Sequence, residues 1–160
     1  MSGCLWADID AYLVAAVTAD MGSGSAVTTH KIVDVVVGDE LDFDAADLHL
    51  PAVLITSVDA DTDAGPHGDG TVHADNTYRY VIGAVASLTT ASAAKIAAQE
   101  LGRRIRAMLA SRHRLGGLTS TDGETVSRTA INRTELQVRG PVKNRYLGLS
   151  AVDFTVETEL

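Results

Sequence analysis

Apolar positions along this chain follow two rhythms, and the change from one to the other between residues 76 and 114 is its clearest signal. In NTYRYVIGAVAS, Tyr78, Tyr80, Ile82 and Ala84 recur at every second residue while Arg79 and Val81 fall on the opposite side, the pattern of a strand with two unlike faces. In TTASAAKIAAQELGRRIRAMLASRHR, the apolar residues Ala94, Ala97, Ala98, Leu101, Ile105, Met108 and Leu109 return every three or four positions. They mark one helical face, and Lys95, Gln99, Arg103 and Arg106 occupy the other. A strand feeding such a helix predicts a helix laid on a sheet.

The same rhythms place the remaining elements. Residues 8–21 (DIDAYLVAAVTADM) bring Ile9, Leu13, Ala16 and Val17 to one side, with Asp8 as the expected cap and Gly22 as the stop. After the flexible GSGS joint, KIVDVVVG (31–38) is short and β-branched, and reads as a strand. DELDFDAADLHL is acidic and irregular, with at most a helical turn. Pro51 then leads into AVLITSV (52–58), an apolar run of the length of a buried central strand. Residues 59–76 (DADTDAGPHGDGTVHADN) hold Gly, Pro and Asp in place of large apolar side chains, which predicts a long mobile loop, of the kind that is either functional or disordered. GLTSTDGET (117–125) reads as a second polar loop. VSRTAINRTELQVR (126–139) predicts a strand interrupted near Asn132, and RGPVKN a turn at which Pro141 ends the ladder.

The final segment, RYLGLSAVDFTVETEL, switches phase. Leu147, Leu149 and Ala151 are apolar at odd positions, whereas Val152, Phe154 and Val156 are apolar at even ones. Two explanations stand: a β-bulge near Ser150, or a strand whose first half packs on a neighbouring subunit. The fold class expected from all this is α+β, a small mostly antiparallel sheet packed against one long and one shorter helix, in a single domain over residues 1–160.

Composition narrows the function classes. A chain of 160 residues buries about 70% of its unfolded surface without staples, and the lone Cys4 has no partner for an intramolecular disulfide. MSGCLWADID lacks the basic region and apolar core of a signal peptide, and no apolar run reaches the roughly 20 residues of a membrane span. The expectation is a soluble protein made in a reducing cytoplasm, with no membrane partner. Residues 1–75 carry 14 acidic side chains against Lys31 alone, a net −13, while residues 76–160 carry 12 basic against 7 acidic, a net +5. Two readings stand: exposed charge that simply follows helix faces and loops, or unlike halves that suit a protein meeting copies of itself head to tail.

Candidate chemistry is sparse. Asp59, Asp61 and Asp63 alternate as at the start of a calcium-binding loop, but Ala64 stands where that loop needs glycine and Gly70 where it needs a bidentate glutamate. His30, His49, His67, His73 and His113 lack the close spacing or cysteine neighbours of a zinc site. Ser23 has no nucleophile elbow, Cys4 is too near the terminus to be oriented, and Gly68-Asp69-Gly70 lacks the third glycine and lysine of a phosphate loop. No cofactor and no enzymatic activity are expected. Among the arginines, Arg104 follows Glu100 by four residues and so forms a helical ion pair. Arg103 and Arg106 point outward, toward solvent, toward a neighbouring subunit or partner, or, with Arg104, Arg112 and Arg114, toward DNA.

In order, then, the chain offers a helix, a proline-led apolar strand, a polar connection, a strand feeding a long helix, and two closing strands. LPAVLITSVDAD (50–61), TYRYVIGAVASLTTASAAKIAAQELGRRIRAMLA (77–110) and RYLGLSAVDFTVETE (145–159) together resemble the tail-terminator family of long-tailed bacteriophages. KIVDVVVG lies outside that pattern. The resemblance implies a structural virion protein of the neck: a six-fold ring on the end of the tail tube that stops polymerisation and docks the head connector, genomic DNA passing through its lumen without specific binding. It implies as partners further copies of the chain, the tube protein and the connector or stopper; the candidate contact residues, from the outward helix face and the phase switch, are Arg103, Arg106, Leu147 and Leu149. Related head-completion, stopper or tube proteins share the pattern, and a small metal-binding module or enzyme is the remaining alternative.

Overall fold

The computed structural model describes residues 3–38, 49–66, 72–121 and 123–159, with the side chains of residues 3–4, 63–66 and 72–74 outside that description. The chain is α+β, with two helices and a mixed five-stranded sheet. In chain order the elements are α1 (Gly3–Met21), β1 (Asp34–Gly38), β2 (Ala52–Pro66), β3 (Val72–Leu88), α2 (Ala91–Ser111), a short 3-10 turn (Leu115–Gly117), β4 (Thr125–Val142) and β5 (Arg145–Glu159). Across the sheet the order is β1-β2-β3-β5-β4, with β1 parallel to β2 and every other pair antiparallel.

Both helices lie on one face. In α2 the buried positions are those that the three-to-four rhythm predicts, with Gly102 added where the helix approaches β5 and β4. Thr90 caps its start, the hydroxyl oxygen accepting the Ala93 amide at 3.1 Å. The first helix begins at Gly3 rather than at Asp8, so the two helices are nearly equal in length, 19 and 21 residues. Tertiary packing overrides the cap: Leu5 is buried, and the Trp6 ring stands edge-on to Tyr78 with centroids 4.6 Å apart. Gly22 does stop the helix, its amide donating to the Thr18 carbonyl at 3.0 Å.

Of the flexible loop expected over 59–76, residues 59–66 and 72–76 are instead paired strand. Asp59 through Pro66 pair with Arg79 back to Val72, after one register shift between Ser57 and Asp59; residues 67–71 lie outside the described residues, as does most of the acidic 39–50 segment. The sheet is accordingly larger than expected.

The phase switch in the last strand has a third cause. β5 pairs with β3 without any register shift, so no bulge sits near Ser150. The shifts fall on β4, at Val126/Arg128, at Ile131/Arg133 and at Arg139/Val142; the second matches the interruption expected near Asn132. In β5 the even positions face the helices throughout, and Gly148 and Ser150 are small because α2 lies against them. Leu147 and Leu149 face the other way, where Leu149 joins Leu54 and Val85 in a second apolar cluster flanked by Leu50 and Leu147.

Candidate assembly surface

Side chains on the open face of the sheet, away from the helices, divide along the strands. At the end where β2 and β5 begin, the cluster of Leu54, Val85 and Leu149 with Leu50 and Leu147 makes an apolar strip. Toward the hairpin end, charges pair across strands. The Arg79 guanidinium lies 3.1 Å from the Asp59 carboxylate directly opposite, and Arg128 donates twice to Glu157, at 2.6 and 3.0 Å. Arg133 pairs with Glu135 two residues on in the same strand. Between strip and charges lies a shallow groove of 640 Å³ lined by Val81, Arg133, Gln137, Leu149 and Asp153.

The four expected contact residues fall on opposite sides of the molecule. Arg103 and Arg106 are exposed on the outer flank of α2, while Leu147 and Leu149 belong to the open sheet face. Leu149 is 3% exposed within the subunit, so the half-buried Leu147 is the one able to reach a neighbour. Other charges of the basic half are engaged within the chain. Arg104 pairs with Glu100 as the spacing predicts and donates to the Thr29 carbonyl at 2.7 Å; Arg112 reaches Asp20 of α1 at 2.7 Å. Its hydrogen bonds to Asp20 and to the Tyr12 hydroxyl push the Arg112 pKa further above the ordinary arginine value.

The acidic run that resembles a calcium loop is extended. Alternate carboxylates on a strand stand about 6.5 Å apart, too far to converge on one ion as a loop would bring them. Asp59 is committed to Arg79, Asp61 is exposed, and Asp63 is described only through its pairing with Asp75. Among the described residues no group of three His, Cys, Asp or Glu side chains is placed to hold a metal. His30 stands 4.0 Å from Glu100, His49 and His113 are exposed, and Ser23 offers its carbonyl to the Lys31 ammonium at 3.1 Å.

One polar centre escaped the sequence reading. Glu124, 5% exposed in the turn just before β4, accepts hydrogen bonds on one carboxylate oxygen from Tyr78 at 2.8 Å, from Asn76 and from Thr158. Burial, and then this carboxylate, push the Tyr78 phenol far above its ordinary range, so it remains a donor. Deeper in, burial and the Asp10 carboxylate do the same to Tyr80, whose hydroxyl donates to Asp10 at 3.0 Å. These partners serve to tie the turn and α1 to the sheet.

No protein-family model matches this sequence, and no curated protein matches it. Among the described residues no helix is long and apolar enough to cross a membrane. The case for function therefore rests on the shape and chemistry of the surfaces.

Proposed function

We propose that this chain is a structural virion protein of the neck of a long-tailed phage, acting as a six-fold ring that caps the tail tube, ends its polymerisation and docks the head connector. One observation carries the reading: a five-stranded sheet covered by helices on one side presents unlike surfaces in separate places, the apolar strip beside Leu147 and the basic helix flank at Arg103 and Arg106. Copies that meet through unlike patches form heterologous contacts, and such contacts close into rings when the rotation per step allows. The excess of carboxylates, net −8, suits a lumen through which phosphates slide rather than stick.

Sedimentation and negative-stain microscopy of the purified chain, followed by its addition to a polymerising tail-tube subunit, test the reading. The expected result is a ring, and tubes halted with that ring at one end. A head-completion or stopper protein would bind the connector and leave tube growth untouched, and a tube protein would polymerise by itself. Either outcome, or a chain that never self-associates even on a finished tail, overturns the reading.

A further inference from the structure

The strand order keeps the two halves of the sequence apart. β1 and β2 come from the acidic half and end the sheet on one side, whereas β5 and β4 come from the basic half and end it on the other. The two edge strands themselves differ in sign: β1 carries Asp34 alone, and β4 carries Arg128, Arg133 and Arg139 against Glu135. Directly after β1 the sequence carries Asp39, Glu40, Asp42, Asp44 and Asp47 without a basic residue, while Lys143 follows β4 in the turn to β5, which opens with Arg145.

Both edges also expose apolar side chains, and on the same side of the sheet. Val37 pairs with the core residue Ile55 and so faces the helices, and 44% of it is exposed. Leu136 and Val138 pair with Ser150 and Gly148, which also face the helices, and Leu136 is 45% exposed. An edge strand with bare apolar side chains and unpaired backbone groups is a template for another strand. β4 is broken by register shifts, but none falls within Arg133–Arg139, a run long enough to lie along the five residues of β1.

Strand direction completes the match. Since β1 runs parallel to β2 and the sheet alternates from there, β4 runs opposite to β1. Successive copies in one orientation therefore bring β1 antiparallel to the preceding β4, with helix layers on a common side. We infer that the β4 edge of each copy receives the β1 edge of the next, so that the ring is held by a sheet continued from subunit to subunit. The register that sets Val37 opposite Leu136 also sets Val35 opposite Val138 and Asp34 opposite Arg139, apolar pairs on one face and an opposite-charge pair on the other.

This inference rests on the ring reading, and disulfide trapping separates the two. With Cys4 replaced by Ser, the full-length chain carrying both Val37→Cys and Leu136→Cys should, on oxidation, give a ladder of linked subunits ending in a closed ring, because directly opposed strand residues stand within disulfide reach. Either cysteine alone should give no links, and Val58→Cys with Leu136→Cys should give no ladder; all of these positions are exposed, so the reduced variants should melt like the parent. Leu136→Glu should weaken self-association about tenfold or more. Rings without a ladder overturn the edge pairing and leave the ring standing. Links from one cysteine alone overturn it in favour of like edges meeting. A chain that stays monomeric and unlinked up to millimolar concentration removes both.

Discussion

Gly148 lies so close beneath α2 that a Cβ built on it would stand 2.1 Å from the carbonyl oxygen of Ala94. Because the obstacle is helix backbone, no rotamer change can make room. The whole helix would have to lift from β5, opening the packing of Ala97, Leu101 and Ile105 beneath it. Gly148→Ala should therefore destabilise the chain by about 2–3 kcal/mol, as overpacking of a tight core does. Gly24→Ala, where nothing lies within 4 Å of the added carbon, should stay within about 0.5 kcal/mol of the parent. Urea unfolding of the two variants decides the matter, and equal midpoints would show that α2 is not held at this distance.

Glu124 gathers three donors from two strands onto one buried carboxylate oxygen. Truncation would leave the Tyr78 and Thr158 hydroxyls without that acceptor in a site closed to water. Glu124→Ala should cost about 3 kcal/mol, and Tyr78→Phe, which removes one donor and leaves the others in place, about 1 kcal/mol. Glu124→Gln keeps a carbonyl acceptor and should fall between them. If Glu124→Ala unfolds at the parent's denaturant midpoint, the turn is not tied to the sheet through this group.

How far the fold can be read from sequence depends on the range of the interactions that decide it. The β3–α2 unit is legible because its signals are local: Tyr78, Tyr80 and Ile82 alternate, and the helix face repeats from Ala94 to Leu109. Local composition misleads over 59–76, where Asp, Gly and Pro predict a loop. There the ladder to β3, the Arg79–Asp59 pair and the Thr62 hydroxyl donating to Asn76 at 2.6 Å outweigh propensity. The phase switch in β5 is visible in sequence, but its cause is the approach of a helix some fifty residues away, which no window on the strand contains. Glu124 is hidden likewise, lying 46 positions from Tyr78 in the chain. Of the candidate contact residues, the outward faces of Arg103 and Arg106 follow from helical period alone. The bare flank of β4 had a readable trace in the alternation of Leu136 and Val138, which becomes informative only once β4 is known to be an edge.

Trp6 ties the first turns of α1 to the sheet through Tyr78 and through Tyr80, whose ring centroid is 5.4 Å away. It is also the only tryptophan in the chain, so its emission reports on this contact without labelling. Fluorescence and circular dichroism should follow one coincident thermal transition, because α1 supplies Leu5, Ile9 and Leu13 to the common core. Trp6→Ala should lower stability by about 3 kcal/mol. An early fluorescence transition, with most helical signal retained, would show that α1 detaches independently.

Two carboxyl groups should pull the pH dependence of stability in opposite directions. Burial raises the Asp10 pKa above its ordinary 3.8, against a smaller lowering by the Tyr80 hydrogen bond. Between that value and its raised folded value the folded state holds more protons than the unfolded one, so this contribution is full below 3.8 and is lost as pH rises through the folded pKa. Asp10→Asn should thus match or exceed the parent's Tm at neutral pH, its relative advantage shrinking in acid. Glu157 behaves in reverse: hydrogen bonds from Arg128 hold it below its ordinary 4.5, so its contribution is present above 4.5 and disappears as pH falls through the folded pKa. Glu157→Gln should melt slightly below the parent at neutral pH, by the small margin of an exposed pair, and level with it in strong acid. Thermal melts of both variants across the acidic range provide the check. A Tm loss for Asp10→Asn that is the same at every pH would mean that the desolvated charge at Asp10 carries no penalty.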